Sequence, residues 1–318
     1  MSALLQDLRN EIRRKNYSFR TEQAYVAWVK RFIVFCDKQH PASIPEHKIV
    51  DFLNHLVNNR NVAAPTQNQA LCAIVFLYGQ VLQKPVGVLN NLKYAGRSEN
   101  IPVVLTPQEV KAIFAHLEGV QWLMVSLLYG TGMRVSEGVR LRVMDIDFGY
   151  NQVQVRDGKG GKDRATVLPQ KLVPYLKAHL EKVELLHIKD TKAGLGNTLL
   201  PKALAVKYPN AASEFRWQYL FPSRKISHDP RTGFGHRYHQ SPQALNRAIA
   251  HAAKKARIIK KVSAHTFRHS FATHMLKNGY DIRTVQELLG HKNLKTTMIY
   301  THVLNKDGGY IKSPVDVL

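Results

Sequence analysis

Six residues in the C-terminal two thirds of the chain carry side chains suited to chemistry on a phosphate. The set joins five nitrogen-bearing side chains to one phenol and comprises Arg134, Lys159, His265, Arg268, His291 and Tyr300. Cationic groups hold a phosphate and stabilise the negative charge that grows on it during displacement. A tyrosine oxygen beside that phosphate can attack it and form a covalent intermediate. The set therefore predicts phosphoryl transfer to a tyrosine without a metal ion.

Two members of the set lie at the start of a predicted helix. In KVSAHTFRHSFATHMLKNG, apolar residues recur every four positions and predict a helix over about 266–278. His265 then falls at the helix N-terminus, where backbone N–H groups point toward anions. Arg268 follows three residues later. The spacing predicts that both side chains can face one phosphate.

The last predicted helix carries the tyrosine. Asn293 can cap a helix over LKTTMIYTHV, in which Leu294 and Met298 mark the packed face. Tyr300 is predicted to project away from that face, and it follows His291 by nine positions. A tyrosine off an apolar stripe is commonly a surface residue. Its closeness to histidines in the sequence favours a functional role instead.

Lys159 lies in the turn of a predicted β-hairpin over 152–168. QVQVR and RATVL alternate in polarity, and the intervening DGKGGKD is rich in glycine, as tight turns require. A lysine on such a loop can donate a proton to a leaving oxygen. The same lysine is equally compatible with ordinary solvation of a turn. Lys162 and Arg164 flank it and are candidate phosphate contacts.

A metal site is an alternative interpretation of the histidines. His265 and His269 are four residues apart, but their segment has no cysteine and few carboxylates to complete a site. A two-metal nuclease also needs clustered Asp or Glu to hold its ions. We therefore predict no metal and no other cofactor. His269, His274 and His302 are interpreted as structural or secondary contacts.

Composition favours a polyanionic partner. Lys and Arg total 46 against 23 Asp and Glu, which gives a formal net charge of +23. Some proteins are simply basic, but this excess more often accompanies nucleic-acid binding. No apolar run approaches the ~18 residues of a membrane span, and the N-terminus lacks a secretory signal pattern. With Cys36 and Cys72 expected as buried free thiols, the sequence predicts a cytoplasmic protein without membrane contact.

The elements that position these residues are predicted to form two domains. Residues 1–90 read as helical, residues 91–102 as a linker, and residues 103–318 as a mostly helical domain with a small antiparallel sheet. The second domain begins with a clear helix start, in which Thr106 and Glu109 can form a capping box. The fold class is therefore mainly α in the first domain and α+β in the second.

The segments GTGMRVSE, GKGGKDR, HTFRHSFATHML and LLGHKNLKTTMIYTHV together resemble the tyrosine recombinase (phage-integrase-like) family. Their order and spacing match, and the resemblance covers nearly the whole chain. It implies a C-shaped clamp, in which a helical core-binding (SAM-like) domain and a catalytic domain lie on opposite sides of a DNA duplex. It also implies cutting and rejoining of DNA through a 3′-phosphotyrosyl intermediate, by a homotetramer on paired sites.

The resemblance assigns a role to each member of the set. Tyr300 would be the nucleophile, and Arg134 and Arg268 would hold the non-bridging oxygens of the scissile phosphate. His291 would add a further hydrogen bond to them, and Lys159 would protonate the departing 5′ oxygen. The histidine at the helix start would assist proton transfer or orient the phosphate.

A second resemblance concerns an insertion at about 187–217. The stretch TLLPKALAVKYPNAASEFRWQYLFPS looks like the insertion of integron integrases, as do RTGFGHRYHQ and the ending YTHVLNKDGGYIKSPVDVL. Those enzymes recombine gene cassettes and accept folded single-stranded sites, recognised by unpaired bases. Trp217 and His239 are candidates for stacking on such bases, and Pro230 for shaping the same pocket. In the alternative interpretation, Trp217 is a core residue.

Two other functions stay open at this point. One is an Xer-like or phage-type tyrosine recombinase that acts on duplex sites. The other is a DNA-binding protein whose catalytic set has decayed, against which the intact Arg–Lys–His–Arg–His–Tyr order argues.

Overall fold

A computed structural model describes residues 3–84, 87, 102–156, 163–200, 202–229 and 233–306. Two compact units divide the chain, Met1–Asn100 and Ile101–Leu318. Both are mostly helical, and the second also holds small antiparallel sheets, so the predicted fold class is confirmed. The predicted linker over 91–102 falls almost wholly outside the described residues. Among the helices in the described ranges, none has the length and apolar character needed to cross a membrane.

The first unit is a helical bundle around an aliphatic and aromatic core. Its α-helices are α1 (Ala3–Arg14), α2 (Phe19–Phe35), α3 (His47–Asn58) and α4 (Ala64–Phe76). Each contributes one apolar face, represented by the fully buried side chains of Ile12, Phe32, Ile49 and Ile74. After α4 the chain continues through the π-helical turn Leu77–Val81. Both cysteines carry free thiols in this unit; one is buried and the other half-buried.

Helices also build most of the second unit. In chain order they are α5 (Pro107–Phe114), α6 (Gly119–Thr131), α7 (Val135–Gly138), α8 (Val173–Lys192), α9 (Lys202–Lys207), α10 (Pro242–Lys255), α11 (Ala264–Lys277), α12 (Ile282–Leu289) and α13 (Lys295–Lys306). The predicted capping box starts α5: the Thr106 hydroxyl accepts from the Glu109 N–H, and the Glu109 carboxylate accepts from the Thr106 N–H. Phe267 of α11 is fully buried in the main core of this unit.

Three strands form the first sheet. They are β1 (Ile146–Asp147), β2 (Gln152–Val155) and β3 (Arg164–Val167), in the order β1-β2-β3 and all antiparallel. The pairing of Val153 with Thr166 lies in the hairpin that the sequence predicts. The Thr166 hydroxyl also donates to the carbonyl of Thr131 at 2.9 Å, which ties β3 to the end of α6. The hairpin turn itself, with Lys159 and Lys162, lies outside the described residues.

A second sheet pairs β4 (Pro222–His228) with β5 (Gly235–His239). The segment at about 187–217 precedes it and consists of the end of α8, the short α9 and two 3₁₀ turns. Arg142 anchors this segment, because its guanidinium donates to the carbonyls of Leu199, at 2.9 Å, and of Trp217. Arg237 of β5 pairs with Asp190 of α8. Two partly buried arginines therefore hold the segment against the rest of the unit.

Candidate active site

Helix α11 presents three polar side chains on one face. His265, Arg268 and His269 are spaced i, i+3 and i+4, which places them on adjacent turns of one side of the helix. Phe267 and Phe271 pack on other faces and fix the rotation of α11 in the core. The helix begins at Ala264, so His265 lies within its first turn rather than before it. Of the three, Arg268 is buried, His269 is half-buried and His265 is exposed.

Arg268 sits at the centre of the site with a fixed orientation. Its Nη1 donates to the carbonyl of Gly132 at 2.6 Å, and its Nη2 donates to the carbonyl of Leu289 at 2.8 Å. Gly132 ends α6 with a φ of 66°, and a Cβ there would lie 2.4 Å from the ring of Phe271. Burial, together with the charge of Arg134, lowers the pKa of Arg268 to about 10. The guanidinium is therefore still charged at neutral pH.

His291 completes a hydrogen-bonded chain with Arg268. Arg268 Nη2 lies 2.9 Å from His291 Nε2, and His291 Nδ1 lies 2.9 Å from the Thr297 hydroxyl. Because a guanidinium has only donors, His291 Nε2 must accept, and Nδ1 then carries the proton of the neutral ring. The left-handed residue Gly290, with φ 64°, ends α12 and turns the chain toward this position. Neither ring nitrogen can therefore donate to a phosphate until the ring gains a proton or changes partner.

Tyr300 lies on the buried side of α13, which corrects the predicted packing of this helix. Its ring packs with Phe271, Val285 and Leu289 and is 2% exposed, whereas Met298 is 41% exposed. The Tyr300 hydroxyl lies 3.0 Å from His269 Nδ1. Burial raises the pKa of Tyr300, while the charges of Arg268 and Arg134 act to lower it. The polar partners on α11 explain why the phenol, rather than the thioether, faces inward.

Arg134 is held beside the site by the buried carboxylate of Glu137. Glu137 accepts from Arg134 Nη1 at 2.8 Å and from the Arg134 backbone N–H at 2.8 Å. Arg164 of β3 donates to both Glu137 oxygens, at 3.1 and 2.8 Å, and to the carbonyl of Leu288 at 3.0 Å. Burial alone would raise the pKa of Glu137, but the bonds from Arg164 and Arg134 lower it to about 2. One anion thus holds two arginines beside the centre of the site.

His265 and His269 of α11 are kept neutral by their surroundings. Desolvation is the largest cause for both, followed for His265 by the charges of Arg268 and Arg134, and these lower its pKa. Desolvation, followed by the charges of His265 and Arg268, lowers the pKa of His269 to about 4. A neutral imidazole can accept a proton or a hydrogen bond. His269 is interpreted from sequence as a structural or secondary contact, yet the structure places it on the tyrosine hydroxyl.

Comparisons with known proteins identify the family. The model of the Phage integrase family matches residues 103–307, and that of the phage integrase N-terminal SAM-like domain matches residues 4–88. The chain belongs to the phage integrase family. It is 47% identical over 315 residues to an integrase/recombinase of Escherichia coli, covering 99% of this chain and 94% of the relative. The tyrosine recombinase XerD of Staphylococcus saprophyticus subsp. saprophyticus is 31% identical over 304 residues, which cover 91% of this chain and 90% of the relative.

Solved structures share the fold of the recombinase. The XerH site-specific recombinase bound to palindromic difH substrate, a post-cleavage complex, aligns with a TM-score of 0.63 and 20% identity over 93% of this chain and 81% of that chain. A lambda integrase(75-356) dimer bound to a COC' core site aligns with a TM-score of 0.60 and 16% identity over 100% of this chain and 99% of that chain. Sequence similarity assigns the class: the chain is a tyrosine site-specific recombinase.

Trp217 and His239, which are predicted to stack on DNA bases, are buried in the recombinase. Trp217 is 8% exposed beneath the guanidinium of Arg142, and His239 is 9% exposed against Tyr238, with Nδ1 2.7 Å from the Gln240 carbonyl. Their burial leaves little ring face for a base and agrees with the core interpretation of Trp217. Arg164, predicted to contact a phosphate, instead donates to the buried carboxylate of Glu137. Pro230, like the two hairpin lysines, is outside the described residues. Within the described part of the chain, no three His, Cys, Asp or Glu side chains gather as a possible metal site.

Replacing the central carboxylate of the recombinase should weaken its fold in a pH-dependent way. Glu137→Gln keeps the size but removes the charge that two arginines share, and breaking such a buried pair costs about 3–5 kcal/mol. Since the folded-state pKa is depressed to about 2 from 4.5, the stabilisation is present above about pH 4.5 and is lost as the pH falls toward 2. Urea unfolding at pH 7 and at about pH 3 measures the difference.

The matched control for this test is Glu214→Gln, which removes an exposed pair with Arg216. That variant should unfold like the wild type at both pH values. An equal loss of stability for Glu137→Gln at neutral and acid pH would contradict the assigned role of the charge.

Proposed function

We propose that the recombinase cuts and rejoins DNA with Tyr300 as its nucleophile. The observation that supports this proposal is the convergence of a buried phenol with two arginines and a histidine, from α13, α7, α11 and the end of α12. The charges of Arg134 and Arg268 both act on Tyr300. A chain with net charge +23 also suits a polyanionic substrate.

In the proposed reaction, Tyr300 Oη attacks the scissile phosphorus and the bond from phosphorus to the 5′ oxygen breaks. Arg134 and Arg268 hold the non-bridging oxygens, where charge grows in the transition state, and each such donor is worth about 3 kcal/mol. His291 joins them, His265 orients the phosphate from the exposed start of α11, and Lys159 protonates the departing 5′ oxygen. The 3′-phosphotyrosyl bond keeps the energy of the broken phosphodiester, so no cofactor takes part.

The test is capture of a covalent adduct. Sites are selected from a randomised DNA library by denaturing purification of protein–DNA adducts, and the recovered sites are rebuilt with a nick beside the cleavage position. Loss of the short released fragment then prevents religation and accumulates the adduct. No adduct with any substrate would leave the binding-only function as the better conclusion.

We further propose that the substrates are gene-cassette sites folded from a single strand, recombined by a homotetramer. Support comes from the integron-like segment at about 187–217, which Arg142 and Arg237 fasten to the catalytic unit. The excess of positive charge in the chain would favour binding of the folded stem. The terminal residues from about 310 onward are proposed to dock on a neighbouring protomer.

A folded single strand should be cleaved faster than its fully paired duplex. Unpaired bases that stack on the protein contribute roughly 1–3 kcal/mol each, so deleting one such base should slow cleavage about tenfold or more. The measurement is the single-turnover rate of adduct formation on three matched substrates: the folded strand, the strand without its unpaired bases, and the duplex. Equal or faster cleavage of the duplex would exclude the single-strand proposal.

The second candidate is a recombinase of duplex sites. It is favoured by the 31% identity to a tyrosine recombinase XerD and by the burial of Trp217 and His239. The same three substrates distinguish the two candidates, because a recombinase of duplex sites should cleave the duplex fastest.

A further inference from the structure

The Tyr300 hydroxyl meets a ring nitrogen that none of the assigned roles uses. His269 Nδ1 lies 3.0 Å from Tyr300 Oη, and the two ring centroids are 5.7 Å apart. The contact joins α11 to α13, which are also packed together by Phe271 and Ala272. His265, the exposed histidine of the same helix, has its ring 6.5 Å from that of His269. Of these two histidines, His269 is the one within hydrogen-bond distance of the nucleophilic oxygen.

We propose that His269 is a catalytic residue that accepts the phenolic proton of Tyr300 as Tyr300 attacks the phosphate. This inference rests on the proposed function, because it needs Tyr300 as the nucleophile. It adds the group that removes the phenolic proton, a role that the reaction proposed above gives to none of the six residues of the sequence-derived set. The distance of 3.0 Å is within the reach required of a general base.

The groups around His269 keep its imidazole neutral, so that it can accept a proton. Its own helix contributes His265 and Arg268, and α13 contributes Tyr300. At the start of α7, Arg134 and Glu137 act electrostatically on His265 and Arg268. The ring of His291 stacks on that of Tyr300, with the two centroids 6.3 Å apart. Desolvation and neighbouring cations favour the neutral imidazole. A bound phosphodiester brings one negative charge to the same place and so raises the proton affinity of the ring during attack.

The step balances in both directions. During cleavage the Oη–H bond of Tyr300 breaks, its proton moves to His269 Nδ1, and an Oη–P bond forms. The bond from phosphorus to the 5′ oxygen breaks, and that oxygen takes a proton from Lys159. During rejoining the 5′ hydroxyl attacks phosphorus and returns its proton to Lys159. The Oη–P bond breaks, and His269 returns the other proton to Tyr300 Oη. No oxidant, metal or co-reactant is needed.

His269→Asn tests the proposal, because an asparagine amide can occupy the place of Nδ1 and hold the phenol without accepting its proton. We expect the single-turnover rate of adduct formation on a nicked substrate to fall by about 10²–10⁴-fold, with non-covalent DNA binding unchanged. The matched control is His274→Asn on the same helix. His274 Nδ1 makes an equivalent contact of 2.8 Å to the Tyr129 hydroxyl, and this variant should cleave at the wild-type rate.

Replacing Tyr300 with 3,5-difluorotyrosine separates proton transfer from positioning. The more acidic phenol needs less help, so it should recover at least about tenfold of the loss in His269→Asn and give a smaller gain when His269 is present. Wild-type cleavage by His269→Asn would overturn the proposal, and so would a loss that the fluorinated phenol does not relieve. If His269→Asn fails to fold, the fluorinated wild-type chain decides: its rate should lose the decline at acidic pH that titration of His269 produces. Absence of any wild-type adduct would instead overturn the proposed function itself.

Discussion

Tyr300→Phe is expected to abolish covalent protein–DNA adducts while leaving non-covalent DNA binding in place. The substitution removes one oxygen, the proposed nucleophile, and keeps a ring that is 2% exposed against Phe271, Val285 and Leu289. The fold should lose only the bond to His269, which is worth about 1 kcal/mol. Denaturing electrophoresis after incubation with a nicked site measures the adduct, and a mobility shift measures binding.

Tyr129→Phe is the matched control, because Tyr129 also bonds a histidine of α11 through its hydroxyl. Burial raises the pKa of both phenols, but only Tyr300 lies beside the arginines. The control should form adduct at the wild-type rate. Adduct from Tyr300→Phe, mapped to another residue, would move the nucleophile elsewhere and remove the basis of the proposed mechanism.

The burial of Tyr300 could not be predicted from the sequence. Apolar spacing correctly predicts a helix, but it assigns the packed face to Leu294 and Met298, whereas the structure buries Thr297 and Tyr300. The ring of a tyrosine is apolar and only its hydroxyl is polar, so the side chain can be buried when the hydroxyl has a hydrogen-bond partner. That partner, His269, is distant in sequence, and no local pattern reports the contact.

Features governed by local rules could be predicted. The capping box at Thr106, the pairing of β2 with β3, and the helix that carries His265 and Arg268 all depend on residues close in sequence. The fold class follows from the same helical and alternating patterns. These features place His265 in the first turn of α11 and Arg268 about one turn later.

The network around Glu137 could not be predicted in the same way. Arg134 is near it in sequence, but Arg164 arrives from β3 and is tied to the carbonyl of Leu288 as well. From the sequence alone, Arg164 is predicted to contact a phosphate, because it flanks a hairpin turn that carries two lysines. A carboxylate that is buried this deeply requires counterions, and only the tertiary structure reveals which arginine supplies the second one.

The bonds within the site also imply an exchange of partners when a phosphate arrives. Arg268 already donates to two carbonyls and to His291 Nε2, and Arg134 donates to Glu137. A phosphate oxygen is a better acceptor than a neutral imidazole nitrogen because it is charged. We therefore expect the contact between Arg268 and His291 to open first, which frees one donor and lets His291 rearrange. The two carbonyl bonds would meanwhile keep the guanidinium in place.

Arg268→Lys should lower the rate of adduct formation by about 10²–10³-fold although it conserves the charge. A lysine ammonium is a point charge without the planar fork, so it cannot bond the carbonyls of Gly132 and Leu289 and still face a phosphate. Arg283→Lys, an exposed change on the neighbouring α12, should cleave at the wild-type rate. Single-turnover cleavage with matched binding and unfolding measurements separates the loss of catalysis from loss of fold. Near-normal cleavage by Arg268→Lys would mean that charge alone is sufficient at this position, and the bonds that orient the guanidinium would then serve the fold rather than the reaction.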